Sequence, residues 1–268
     1  MAAVLFGRFL IGLALTALAV ALNAWLPERA ATVQTTLRLG ILALILVGLW
    51  QGLGRGRLRF WLAIALPLVA WQAVIWWLAQ RGTFAPNNPR AILLPLTFVL
   101  PLVVGLPLLL RSKSIGQLLD AMPAAWLIGL QVYRVFGSVF LVGWVNGAFP
   151  TAFALPAGLG DVLTGLLALP VAALVQSGAR GWRTAAIAWN LFGILDLVDA
   201  LTLGSLTSTG IIPVDHATTI GLYPVVLIPA FAVPLSLLLH AVTLRQLRRR
   251  AEQPQRLHRA ARLVGAEA

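Results

Sequence analysis

Long apolar segments recur along the whole chain, and their length is the feature that most restricts its fold. A helix needs about 20 apolar residues to cross a lipid bilayer. Eight segments meet this requirement, and they cover residues 4–26, 34–53, 60–80, 91–110, 125–146, 157–176, 184–204 and 219–243. Only 10% of the residues are charged, against roughly 25% in soluble domains. The sequence therefore predicts an all-α integral membrane protein with eight transmembrane helices.

The distribution of basic residues predicts the orientation of these helices. If the N-terminus is cytoplasmic, the inner segments hold fifteen basic residues and the outer loops hold four. Cytoplasmic loops of membrane proteins carry such an excess of arginine and lysine. The net charge of +12 is explained in this way, so no nucleic-acid partner is expected. We predict a multi-pass protein of the inner (plasma) membrane with both termini in the cytoplasm.

Two similar stretches suggest that the chain is an internal duplication. At a fixed offset of 125 residues, eight of seventeen positions match between residues 40–56 (GILALILVGLWQGLGRG) and residues 165–181 (GLLALPVAALVQSGARG). Residues 1–122 and 123–245 would then be two four-helix repeats of the same orientation, as in transporters with parallel repeats. The alternative is that apolar helices of low diversity resemble one another.

Residues 246–268 form a basic tail after the last predicted span. Apolar residues lie on one face of this segment, and arginines occupy much of the rest. We expect it to bind anionic lipids of the inner leaflet. A solvated, disordered tail is the alternative.

The segment WNLFGILDLVDALTLG (189–204) places two carboxylates in a transmembrane span. An ionised carboxylate near the bilayer centre costs about 2.5–3.5 kcal/mol even on the gentler scales. Asp196 and Asp199 must therefore face protein or water, or be protonated. Asn190 belongs to the same polar stripe, but the helical period places it on a different side from Asp199.

Arg134 is the only cation deep inside a predicted span, and it shares a helix face with Gln131 and Ser138. We predict that it pairs with Asp196. Asp161 and Asp199 are predicted nearer the outer surface, lining a polar cavity.

The stretch from Asn146 to Asp161 is rich in glycine and proline, and it is expected to enter the membrane as non-helical backbone. The predicted binding set is Arg134, Asn146, Asp161, Asn190, Asp196 and Asp199.

The polar set supports three interpretations. The first is a carrier of a small solute, an ion or protons, with its site in the second half and no cofactor or metal. The second is a membrane-embedded enzyme, in which the three aspartates hold a metal. The third is a structural subunit whose polar residues only join helices. Bis-histidine ligation of haem is not expected, because His216 and His258 lie outside the predicted spans. His240 is predicted near the inner end of the last span, in a capping or snorkelling role.

Overall fold

The computed structural model describes residues 1–25, 30–53, 58–112, 115, 116, 119, 122–216 and 218–264. This part of the chain is all-helical. Its long helical segments are α1 (Ala2–Trp25), α2 (Ala30–Leu53), α3 (Leu58–Gln80), α4 (Pro89–Arg111), α5 (Ala124–Val145), α6 (Thr151–Ser177), α7 (Trp182–Ser208) and α8 (Ile228–Ala232 continuing as Val233–Val264).

Seven of these helices are long and apolar enough to cross a membrane, and they define a multi-pass helical protein. Helix α2 is not among the seven. Its apolar part, Leu39–Gln51, is shorter than a membrane span. Some basic residues that predict the orientation lie outside the described residues: Arg29, Arg55, Arg57 and Lys113. The side chains of the tail from Arg250 onwards are also outside them. Whether residues 1–122 and 123–245 are repeats stays a prediction.

The last predicted span begins too early. Residues 219–226 form turns, and helical geometry starts near Ile228 and continues through Val264. Pro224 and Pro229 lack the N–H group that an α-helix needs and are too close together for regular helix between them. The first turns of α8, Ile228–Ala232, are accordingly π-helical. Trp71 donates its indole N–H to the carbonyl of Ala230 at 3.3 Å.

The stretch 146–161 is mostly helical, and the prediction of non-helical backbone there was wrong. Only residues 146–150 lie outside helices, and α6 begins at Thr151 directly after the extended residue Pro150. Phe153, Ala154 and Ala157 are buried in an apolar cluster with Phe140 of α5 and other residues. This packing stabilises the first turns of α6 despite Pro156.

The N-terminus of α6 is capped from a distant loop. Asp215 accepts hydrogen bonds from the backbone N–H of Thr151 at 3.0 Å and from its hydroxyl. A carboxylate at a helix N-terminus satisfies an unpaired N–H and interacts favourably with the helix dipole. The hydrogen bonds from Thr151 lower the pKa of the Asp215 carboxyl.

We expect Asp215→Asn to lower the thermal stability of the protein at neutral pH. Because the pKa of Asp215 is lower in the folded state, its contribution is present above the ordinary aspartate pKa of about 3.9 and is lost as the pH falls further. The difference in melting temperature between wild type and variant should therefore shrink from about pH 6 to about pH 3. A difference that stays constant over this range would contradict the capping role.

Helix α8 lies at the centre of the bundle. The apolar stretch of α8 is 67% buried, whereas that of α4 is 6% buried and that of α1 is 11% buried. Exposed apolar side chains on the outer helices, such as Val103 and Leu96, suit contact with lipid. Helices α5 and α7 contact α8, and α6 packs against α5 and α7, so that these four helices enclose the deep polar residues.

Candidate functional site

Arg134 lies in the middle of α5, where the helix changes geometry. Residues Gln131–Gly137 form a 3-10 turn between two α-helical parts. Such a stretch inside a helix often marks a functional hinge or local strain. The side chain of Arg134 is only 2% exposed, and it points into the space between α6, α7 and α8.

Two carboxylates hold the guanidinium. Arg134 Nε donates to Asp161 Oδ1 at 2.7 Å, and Nη2 donates to Asp196 Oδ2. The predicted contact between Arg134 and Asp196 is confirmed. Asp161 was expected to line a cavity beside this pair; it does so, and it also contacts Arg134 directly. The ion pair is therefore a triad with one cation and two anions.

His240 and Asn190 extend the triad. Arg134 Nη1 lies 3.4 Å from His240 Nε2, and His240 Nδ1 lies 2.9 Å from Asn190 Oδ1. Arginine has only donors, so Nε2 must accept, and the ring proton is on Nδ1. Asn190 in turn donates to the carbonyl of Ala186 at 2.7 Å, which leaves its oxygen to accept from the histidine. These contacts indicate a neutral imidazole.

His240 is fully buried, so the expected capping or snorkelling role was wrong. Its ring centroid lies 5.1 Å from that of Trp189, whose indole N–H donates to the carbonyl of Thr164 at 3.0 Å. A sequence signal was available: Ser236, His240 and Thr243 recur on one face of α8, and all three are buried.

Further buried polar groups surround the triad. Gln131 and Ser138 flank Arg134 on α5, and Thr164 follows Asp161 by one turn of α6. Three side-chain atoms are buried and have no hydrogen-bond partner within the described part of the chain: Gln131 Oε1, Ser138 Oγ and Thr164 Oγ1. Unsatisfied groups of this kind are uncommon in protein interiors and call for a functional or solvent-related explanation.

A cavity of about 370 Å³ reaches the triad from one end of the bundle. We call it the phenylalanine cavity, because Phe84, Phe98, Phe140 and Phe153 line it. It lies between the N-terminal part of α4, the C-terminal part of α7 and the start of α8. Asp161 is the only acidic residue among the described residues of its lining. The volume is within the range of about 300–1,000 Å³ that is usual for small-molecule sites.

A second cavity, of about 470 Å³, lies at the opposite end of α5 and α6. We call it the Arg8 cavity; its lining includes Arg8, Ile41, Tyr133 and Gln176. A narrow gap of about 40 Å³ beside Arg134 shares Asp161 with the phenylalanine cavity and shares Ile41 and Tyr133 with the Arg8 cavity. Within this gap Tyr133 hydrogen-bonds Ser236 at 2.5 Å.

Two of the predicted binding residues are not in this assembly. Asp199 is exposed on the side of α7 opposite Asn190, and it is not among the residues that line the cavities. Asn146 follows the C-terminal end of α5, three turns beyond Arg134. The structure thus brings together Arg134, Asp161, Asn190 and Asp196. Among the described residues, no group of three metal-ligating side chains could hold a metal ion.

The fold and its buried triad define a multi-pass helical membrane protein with a polar centre. The chain belongs to the family described as domain of unknown function DUF8737, whose model matches residues 91–248. This range is more than half of the chain and contains every residue of the triad and both of its neighbours on α7 and α8. No curated protein and no solved structure matches the chain.

Proposed function

We propose that this protein is a membrane carrier for a small solute, an ion or protons, and that the Arg134 triad is its site. The observation that carries the proposal is the position of the triad. Cavities approach it from the two ends of the bundle, and only a narrow gap with a Tyr133–Ser236 hydrogen bond separates them. Carriers place their site near the midplane and expose it alternately to each side.

The charge of the triad supports an ionic or proton-linked role. One guanidinium balances one carboxylate, and a neutral His240 adds no charge. One negative charge is left in a buried position, where an unbalanced charge costs several kcal/mol. A proton on one carboxyl group or a bound cation would balance it. A site that needs a mobile positive charge is suited to binding and releasing one.

The alternative interpretations have less support. A metal-dependent enzyme would need Asp161, Asp196 and Asp199 to converge, but Asp199 is exposed and does not line the cavities that Asp161 lines. A purely structural cluster would be dry and fully paired. Asp161 instead lines an open cavity.

The carrier proposal includes a topology. We propose that α2 is an additional span, giving eight, and that both termini lie in the cytoplasm of a cell with this protein in its inner membrane. The phenylalanine cavity then opens to the outer side and the Arg8 cavity to the inner side. The basic tail would contact anionic lipids of the inner leaflet.

The proposal is tested by proton flux into vesicles that contain the purified protein and a trapped pH-sensitive dye. An imposed membrane potential should acidify these vesicles faster than protein-free vesicles. Asp161→Asn should reduce the added rate by about tenfold or more, because it removes one of the groups that can carry the proton. Asp199→Asn makes the same change on an exposed site and should keep the rate.

If the proton flux equals that of protein-free vesicles, the protein does not carry protons. If Asp161→Asn and Asp199→Asn give the same flux, the flux does not depend on the triad. Both results are measured against the same protein-to-lipid ratio, with insertion checked by protease protection of the tail.

A further inference from the structure

We infer that the phenylalanine cavity binds an organic monocation with an apolar body, and that Asp161 is its counter-ion. This inference deepens the proposed function by naming the substrate class of the same site, and as a substrate assignment it rests on that function. The binding step itself can be measured without transport.

The triad excludes an anion from the cavity. All three guanidinium nitrogens of Arg134 are engaged: Nε with Asp161, Nη2 with Asp196, and Nη1 with the carbonyl of Gly193 at 3.2 Å and with His240. The guanidinium is buried, and the described residues that line the cavity include Asp161 but no Arg, Lys or His. Among these residues, a ligand in the cavity therefore meets a carboxylate and no cation.

Three of the hydroxyl groups that line the cavity add acceptors, and a further one, on Thr218, accepts from the backbone N–H of Ile220 at 3.4 Å. Ser205, Ser208 and Thr209 of α7 line it. Each hydroxyl donates its proton to a carbonyl of its own helix, at 2.7, 2.6 and 2.9 Å respectively. A hydroxyl has a single proton, so these groups can offer only lone pairs to a ligand. Asp161 and these three hydroxyl groups thus suit a ligand that donates hydrogen bonds or carries positive charge.

The apolar lining suits the body of such a ligand. Four phenylalanine rings and aliphatic side chains such as Ile92 and Leu201 line the cavity. Aromatic faces attract a cation that lies within about 6 Å of the ring centroid. An organic cation buries apolar surface against these walls while its charge lies near Asp161. A small inorganic cation would leave most of the cavity unfilled.

The test is equilibrium binding of tetraphenylphosphonium to the purified full chain in a non-ionic detergent. Tetraphenylborate has nearly the same shape and the opposite charge, so it controls for apolar partitioning. We expect saturable binding of the cation at one site and no displacement by the anion. A smaller cation, benzyltrimethylammonium, serves as a second probe of the same class.

Asp161→Asn should weaken binding of the cation by about 30-fold or more, because one partner of a partly buried charge pair is lost. Ser205→Phe should also prevent binding, since its ring would fill the cavity without contacting the triad. The matched controls on α7 are Asp199→Asn and Thr202→Phe, at exposed positions outside the cavity lining. Both should bind as wild type. Thermal unfolding of each variant verifies its fold.

Three results would overturn the inference: neither cation binds to wild type, the anion binds as tightly as the cation, or a folded Asp161→Asn variant keeps wild-type affinity. Failure of the carrier is distinguishable from these results. Saturable cation binding with no flux in vesicles would contradict the carrier proposal and support the cation site. Proton flux that depends on Asp161, with no cation binding, would support the carrier proposal and contradict this substrate class.

Discussion

Arg134→Ala is expected to lower the free energy of unfolding by about 3–5 kcal/mol or to prevent folding altogether. The substitution leaves the carboxylates of Asp161 and Asp196 buried without their shared cation. His240 also loses the donor that its Nε2 accepts from. The measurement is unfolding in mixed micelles with increasing denaturing detergent, followed by circular dichroism. Arg90→Ala, at an exposed arginine, should change the result little.

A double and a triple variant test whether buried carboxylates without a cation cause this loss of stability. For an isolated ion pair, changing Arg134 and Asp196 together to leucine should restore stability, because apolar residues of similar volume can replace a buried pair. The structure predicts that this double variant remains unstable, since it strands Asp161. The triple variant that adds Asp161→Asn should recover most of the loss. Recovery already in the double variant would contradict the Asp161–Arg134 contact.

The sequence was sufficient to predict the class of fold and the central contact. The bilayer fixes how long an apolar helix must be, so the long apolar segments could be located by length alone. A deep arginine and an aspartate at similar depth two helices along the chain are expected to pair, because neither charge is stable alone in hydrocarbon. Arg134 and Asp196 follow from this rule without knowledge of the packing.

The position of Asp161 could not be predicted, because the start of its helix was misplaced. A start at residue 157 places Asp161 about one turn from the end of the span. Helix α6 begins at Thr151, so Asp161 lies ten residues, or about 15 Å, along the helix. That depth brings it level with Arg134. The earlier start depends on the cap from Asp215 and on packing around Phe153, which are contacts between distant parts of the chain.

The same kind of error concealed His240. A span that ends at residue 243 places this histidine near the surface, where capping is the natural role. The apolar stretch of α8 instead covers Ile228–Arg249, and His240 lies near its middle. The helix starts later than predicted because of Pro224 and Pro229, and it continues beyond residue 243 into the basic segment. Boundaries of helices are the least reliable part of sequence interpretation, and here they determined which residues reach the site.

Several glycines allow the helices to approach the triad, and substituting Gly160 or Gly193 is expected to have a large effect. A Cβ atom at Gly160 of α6 would collide with the carboxylate of Asp196. A Cβ atom at Gly193 of α7 would lie 2.5 Å from His240 Nε2 and 3.1 Å from Arg134 Nη1. The carboxylate and the guanidinium hold each other, and the imidazole lies between Arg134 and Asn190. None of these groups can move without breaking a contact of the triad.

We therefore expect Gly160→Ala and Gly193→Ala each to lower the free energy of unfolding by about 1–3 kcal/mol, as overpacking of an interior does. The matched control is Gly40→Ala in α2, where nothing lies within 4 Å of the added Cβ. There the better helix propensity of alanine should raise stability by about 0.5–1 kcal/mol. A loss of stability thus indicates that the glycine lies close to the triad, whereas a gain reflects only the better helix propensity of alanine. If Gly160→Ala and Gly193→Ala were as stable as Gly40→Ala, the helices would not pack against the triad as the structure shows, and the site would be more open than the carrier proposal requires.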